Sequence, residues 1–180
     1  MRDKQLLIGA RLGDKAALSE VVERYYNDIY KFLVRRTGSP FIAEEVTQNT
    51  FLKFISTLEN YKEKNKLRGY LFTIAINCSN DYFRSERKAV SLNSFEDCKA
   101  NTDVEGEIEE ISHRERVKKA LGTLPEWQRD VVILRYYHDM KLKEIAKVLD
   151  IPVSTAKTRL HRASKVLKEK LEGETENEVS

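Results

Sequence analysis

From Lys141 to Leu171 the chain reads KLKEIAKVLDIPVSTAKTRLHRASKVLKEKL, two helical patterns parted by a break at Asp150-Ile151-Pro152. Leu142, Ile145, Ala146 and Leu149 fall on one face of the first pattern, the spacing of an amphipathic helix. Pro152 cannot continue that helix, and it pushes Ile151 towards extended backbone. Ser154 is expected to cap a second helix by accepting an orphan backbone N–H. In that helix Ala156, Leu160, Ala163 and Leu167 form an inner stripe, while Lys157, Thr158, His161, Arg162 and Lys165 lie on the other side. Two short helices joined this way bury their stripes by crossing at an angle, with 142–149 as support and 154–170 as the exposed partner. A narrow helix carrying donors along one face suits the DNA major groove, where Arg and Lys reach guanine O6 and N7. Nine Lys/Arg against three Asp/Glu over residues 141–170 favour nucleic acid over a merely solvated hairpin.

The same helical period governs most of the remaining sequence. The chain of 180 residues has seven Gly and three Pro amid long runs of Leu, Ile, Lys, Glu and Arg, so an all-α fold is expected. Helices are predicted at 3–12 and 15–37, from Pro40 to about Asn60 with Ser39 as N-cap, and at 67–88. Between Ser91 and Ile111 the pattern collapses, and seven acidic residues face one basic residue, the composition of a flexible tether. Periodicity resumes near His113, and Leu124-Pro125-Glu126 opens a further helix. The expected organisation is a domain at 1–88, a flexible acidic linker at 89–112, a second helical domain at 113–172 and a disordered acidic tail at 173–180.

Several classes of function fit poorly. Charges interrupt every apolar run of MRDKQLLIGARLGDK, so neither a signal peptide nor a membrane anchor is expected there, and a cytoplasmic protein is. Cys78 and Cys98 make no framework; Cys78 reads as a small apolar filler and Cys98 as an incidental loop thiol. His113, His138 and His161 are scattered, with no Asp/Glu/His set at metal spacing and no nucleophile–base pair. No catalytic residue, metal or cofactor is therefore assigned. A helical enzyme acting on nucleic acid ranks below a plain helix-turn-helix regulator, which would bind duplex DNA unaided.

A second polar face lies in RGYLFTIAINCSNDYFRSERK. Leu71, Ala75, Cys78 and Tyr82 make an apolar stripe, and Thr73, Asn77, Asn80, Arg84 and Lys88 a polar one. Thr and Asn are weak helix formers but able readers of bases. Around them stand the aromatics Tyr61 and Tyr70 and the cations Lys62, Lys64, Lys66 and Arg68, the ingredients of a single-strand site. Phe72 reads as core.

Together with the blocks LIGARLGDKAALSEVVERYYNDIYKFLVRR, AEEVTQNTFLKFI and LPEWQRDVVILRYY, these segments resemble a bacterial RNA polymerase sigma factor of the extracytoplasmic-function group. The match spans nearly the whole chain outside the linker and tail. The resemblance implies two domains, sigma-2 and sigma-4, and a transcription initiation factor with no catalysis of its own. It implies that Glu45, Gln48, Asn49 and Lys53 meet the clamp coiled coil of core polymerase, and that the second domain meets the flap. The −10 element would be captured as unpaired non-template strand by the 61–88 segment, with one base extruded beneath the Tyr61–Lys66 loop. Tyr70 and Asn77 would stand on the recognition helix, with Thr73 one turn away. The −35 element would be read as duplex by Lys157, Thr158, His161 and Arg162, with Ser154, Thr155, Arg159 and Lys165 beside them, Arg159 and Lys165 nearer the phosphates. An anti-sigma partner, in some cases membrane-anchored, would silence the protein. The acidic linker is expected to mimic RNA charge in a polymerase channel. Departures from the family pattern are Tyr70 for Trp, Thr73 for Arg, Asn49 for Glu, and Asp150 and Ser154 for Gly.

Overall fold

The computed structural model describes residues 2–61, 66–92 and 108–177, with side chains described over 3–61, 66–87 and 114–172. The tether between the helices at Leu92 and Ile108, Cys98, Lys62 and Lys64, the Lys88 side chain and the last three residues lie outside the described positions. All regular elements among the described residues are helical. They are α1 (Arg2–Arg11), α2 (Lys15–Thr37), α3 (Pro40–Thr57) with a 3-10 turn at Leu58–Asn60, α4 (Leu67–Leu92), α5 (Ile108–Gly122), α6 (Glu126–Val132) with a π turn at Ile133–Tyr137, α7 (Leu142–Val148) and α8 (Val153–Asn177). The chain divides into two compact units, Met1–Glu96 and Asp97–Ser180.

Local chemistry sets the helix ends. Asp14 caps α2 by accepting the N–H groups of Ala16 and Ala17 at 2.9 and 3.2 Å. Gly38 ends the same helix at φ 75°, a left-handed position where a side chain would be strained. Ser39 then accepts the Ile42 N–H, and Pro40 occupies the first turn of α3, as expected. Several boundaries differ from the sequence reading: α8 begins at Val153 and runs to Asn177, into residues expected to form a disordered acidic tail. α4 continues to Leu92 and α5 begins at Ile108, because residues such as Arg87, Lys88, Glu109 and Glu110 favour helix while offering no apolar stripe.

In the first unit, α2, α3 and α4 enclose Val21, Ile29, Phe32, Leu33, Val46, Phe54, Leu71 and Phe72, each fully buried. Phe32 and Phe72 meet edge to face at 5.2 Å between centroids. Thr47 and Thr50, also buried, turn their hydroxyls back onto the carbonyls of Ala43 and Val46, at 2.6 and 2.7 Å. That satisfies polar atoms that would otherwise be costly there.

α1 is latched onto α2 by one carboxylate. Asp3 accepts from Arg24 at 2.5 Å and from the Tyr25 hydroxyl at 2.7 Å. Burial, then the bond to Asp3, pushes the Tyr25 phenol above its ordinary value. A folded-state value raised above the unfolded one stabilises the fold below the unfolded value, and that contribution is lost as pH rises through the folded value. Tyr25→Phe should therefore lower stability by about 1 kcal/mol at neutral pH. Denaturant melts should show the gap to wild type closing as the pH climbs well above about 10.

In the second unit Leu121, Leu124, Val132 and Ala163 form a core cluster, with Val117, Leu160, Val166 and Leu167 packed against it. Ile133, Leu134, Ile145 and Ala156 are buried too.

Candidate nucleic-acid interface

The geometry of α7 and α8 follows from three local features. The carboxylate of Glu144 accepts the Lys141 N–H at 3.1 Å and closes the start of α7. Asp150 takes φ 51° in the turn, the left-handed conformation that Asp tolerates better than most residues. Buried Ala156 and Ala163 give α8 a smooth inner side. The cap assignment to Ser154 is corrected: α8 starts at Val153, so Ser154 lies within its first turn. Pro152 explains the earlier start, since its carbonyl takes the Ala156 N–H at 3.0 Å and its ring holds a helix-compatible φ.

On the outward side of α8, Ser154, Lys157, Thr158, His161, Arg162 and Lys165 are exposed. Thr155 and Arg159 are half-buried. The Arg159 guanidinium lies 5.3 Å from the centroid of the Trp127 ring on α6, which braces it from below. Lys165 faces Glu169 at 4.0 Å, an exposed pair that holds the side chain weakly. Val153 is exposed at the start of the helix, an apolar contact that sequence reasoning passed over.

The α4 face is partly as expected. Asn77 and Arg84 are exposed, Arg84 pairing with Asp81 at 3.3 Å. Asn80 is exposed, with its amide oxygen bonded to Arg36 at 2.7 Å. Thr73 is half-buried and its hydroxyl donates to the Gly69 carbonyl at 3.2 Å. Tyr70 is half-buried, donates to the Thr57 hydroxyl at 3.1 Å, and stands 4.7 Å from the Tyr61 ring. The expectation of Tyr61 as an open stacking platform is corrected, because its side chain is only 6% exposed and closes the core under Tyr70. Arg68 bonds Asp28 at 2.9 Å and lies over Phe72 at 5.5 Å, so it ties α4 to α2. Lys66 is exposed. Arg11 was missed altogether. It donates to the carbonyls of Leu58, at 3.1 Å, and Tyr61, anchoring the segment that leads into residues 62–65.

On α3, Glu45, Gln48, Asn49 and Lys53 are exposed. Sequence reasoning missed their apolar neighbours: Phe41 is 77%, Leu52 65% and Ile55 41% exposed. Phe41, Glu45, Gln48, Leu52 and Ile55 recur at alternating spacings of four and three, one stripe along the helix. The signal was present as apolar residues off the Ala43, Val46, Phe51 and Phe54 core face.

Burial pushes the Cys78 thiol above its ordinary value, which keeps it in the less reactive protonated form. Among the described residues no His/Cys/Asp/Glu group could hold a metal, and no helix is long and apolar enough to cross a membrane.

Comparison with known proteins agrees with this division. Residues 21–89 match the family model for Sigma-70 region 2, and residues 114–167 that for Sigma-70, region 4. The chain is 25% identical over 182 residues to the ECF RNA polymerase sigma factor SigW of Bacillus subtilis, covering 95% of this chain and 97% of that protein. CnrH, solved in complex with the cytosolic domain of CnrY, superimposes with a TM-score of 0.73 at 24% identity, over 96% of this chain and 99% of that one. The sigma factor RpoE, solved with the anti-sigma factor NepR from Bartonella quintana, gives 0.73 at 22% identity, over 86% and 96%. These two likenesses establish the fold.

Proposed function

We propose that this chain, which belongs to the extracytoplasmic-function group of RNA polymerase sigma factors, directs core polymerase to promoters by gripping them at two separate elements. The observation that carries the reading is the exposed α8 face, where Lys157, Thr158, His161 and Arg162 project from a helix seated on the Ala156 and Ala163 side. The sigma-4 part, about 113–172, reads the −35 element as duplex with this face, and Arg159 and Lys165 approach the phosphates. Val153 adds an apolar group suited to a thymine methyl. The sigma-2 part, about 1–88, binds the polymerase clamp through the α3 stripe. It holds the unpaired −10 strand against α4, with Tyr70 offering its ring edge and Asn77 its amide.

Neither part need bind DNA tightly alone. Once both ride on one polymerase, the second contact is intramolecular and its effective concentration rises steeply. The solved relatives named above were captured with CnrY and with NepR, which supports an anti-sigma partner for this chain as well. The protein is then a cytoplasmic factor, held at the membrane only if its partner is.

Run-off transcription from genomic fragments with core polymerase tests the reading. Transcripts that require both proteins support it; tight duplex binding by the chain alone, with no effect on polymerase, replaces it with a free-standing helix-turn-helix regulator. Within the reading, Arg162→Ala should cost about 1–3 kcal/mol at one −35 base pair and relax preference there. A competition assay across −35 variants checks this, and an unaltered preference removes Arg162 from the base-reading set.

A further inference from the structure

The end of α2 reaches through the core to the reading face of α4. Arg36, only 3% exposed, donates from one terminal nitrogen to the Ser79 hydroxyl at 2.5 Å and from the other to the Asn80 amide oxygen at 2.7 Å. A guanidinium carries five N–H donors and no acceptor. The amide atom facing Arg36 must therefore be the oxygen, whichever way the side chain is drawn, and chemistry alone settles the flip. Ser79 is itself fully buried, so the fork holds two successive residues of α4 from the inside. Asn80 is exposed and shares its face with Asn77, three positions earlier.

We propose that Arg36 is a positioning residue that locks Asn80 with its amide nitrogen outward, making Asn80 a donor-only contact to the −10 strand. This rests on the reading of α4 as the −10 face. An unconstrained Asn recognises adenine by accepting from N6 while donating to N7, and that pairing needs both halves of the amide. With its oxygen turned inward onto buried Arg36, Asn80 presents its amide nitrogen to acceptor oxygens: the keto groups of thymine or guanine, or a backbone phosphate. Against the exocyclic amines of adenine or cytosine it sets donor against donor. The outcome is a preference for keto over amino bases at one −10 position, written into the fold by a buried cation rather than by the reader itself.

The test uses full-length chain with core polymerase on a promoter library randomised through the −10 element, scored for open complexes. Wild type should favour thymine or guanine at one position, and Asn80→Ala should lose that preference by about tenfold. Arg36→Met, which removes the donors, should admit adenine or cytosine at the same position, and Arg36→Lys should restore the preference. The Arg36→Met/Asn80→Ala double variant should be no worse than Asn80→Ala. If Asn80→Ala instead weakens all sequences equally and leaves the slope of affinity against salt unchanged, as loss of a neutral donor must, the acceptor is a phosphate and the donor-only contact stands. Thermal melts identify any Arg36 variant that fails to fold, in which case the Asn80→Ala profile decides alone. An unchanged profile and affinity in Asn80→Ala, with Asn77→Ala altered, overturns the inference and leaves the −10 reading intact. If neither variant changes anything, the α4 reading falls and this inference with it.

Discussion

Leu52→Glu should weaken binding to core polymerase by about 30-fold or more, while the folded chain melts as wild type does. Leu52 is 65% exposed on α3, between Phe41, 77% exposed, and Ile55, 41% exposed, with Glu45 and Gln48 on the same stripe. Single exposed apolar side chains are ordinary, but three on one helical face form a patch of the kind that marks a contact surface. At such surfaces a few central anchors carry most of the binding energy, and truncating one costs about 2 kcal/mol or more. Glu removes the anchor and also carries an uncompensated charge into the contact. The fold is spared because α3 buries its opposite face, through Val46, Thr50 and Phe54. Fluorescence titration of labelled chain with core polymerase measures the change, and circular dichroism melts supply the control. Binding within about twofold of wild type would remove α3 from the polymerase interface.

Phe72→Ala should destabilise the first unit by about 3–5 kcal/mol, the range for emptying a buried aromatic site. Phe72 is fully buried, meets Phe32 edge to face at 5.2 Å, and has the Arg68 guanidinium 5.5 Å from its ring centroid. Small domains hold only about 5–15 kcal/mol in total, so this loss is a large part of the margin. The Leu121, Leu124, Val132 and Ala163 cluster shares no residue with that core. Amide exchange should accordingly show lost protection at Ile29 and Ala75 and retained protection at Ile145 and Ala163. Equal loss at all four would show the two units unfolding together.

Much of this was legible from residue order because helix ends are decided by neighbours. Asp14, Gly38, Ser39-Pro40 and Asp150 act on groups within a few residues, and the Val21, Ile29, Phe32 and Leu33 spacing follows from 3.6 residues per turn. The helix-turn-helix and the outward Lys157, His161 and Arg162 were legible for the same reason. Where the sequence reading fell short, the apolar stripe was the wrong guide. It missed the charged turns that extend α4 and α5, and it placed the α8 cap at Ser154 when Pro152 opens the helix.

The amino-acid order by itself therefore determined two helical units, their helices and which faces carry donors, since these depend on local propensity and periodicity. Only the tertiary structure decided which donors are already engaged. Arg36 meets Asn80 across 44 positions, Arg68 meets Asp28 across 40, and Arg11 reaches Tyr61 across 50. Trp127 takes up Arg159 from another helix, and Tyr61 sinks beneath Tyr70. A polar side chain reads the same in the sequence whether it is solvated or held, because its hydrogen-bond partner is chosen by packing, and packing brings together residues that the local pattern leaves far apart.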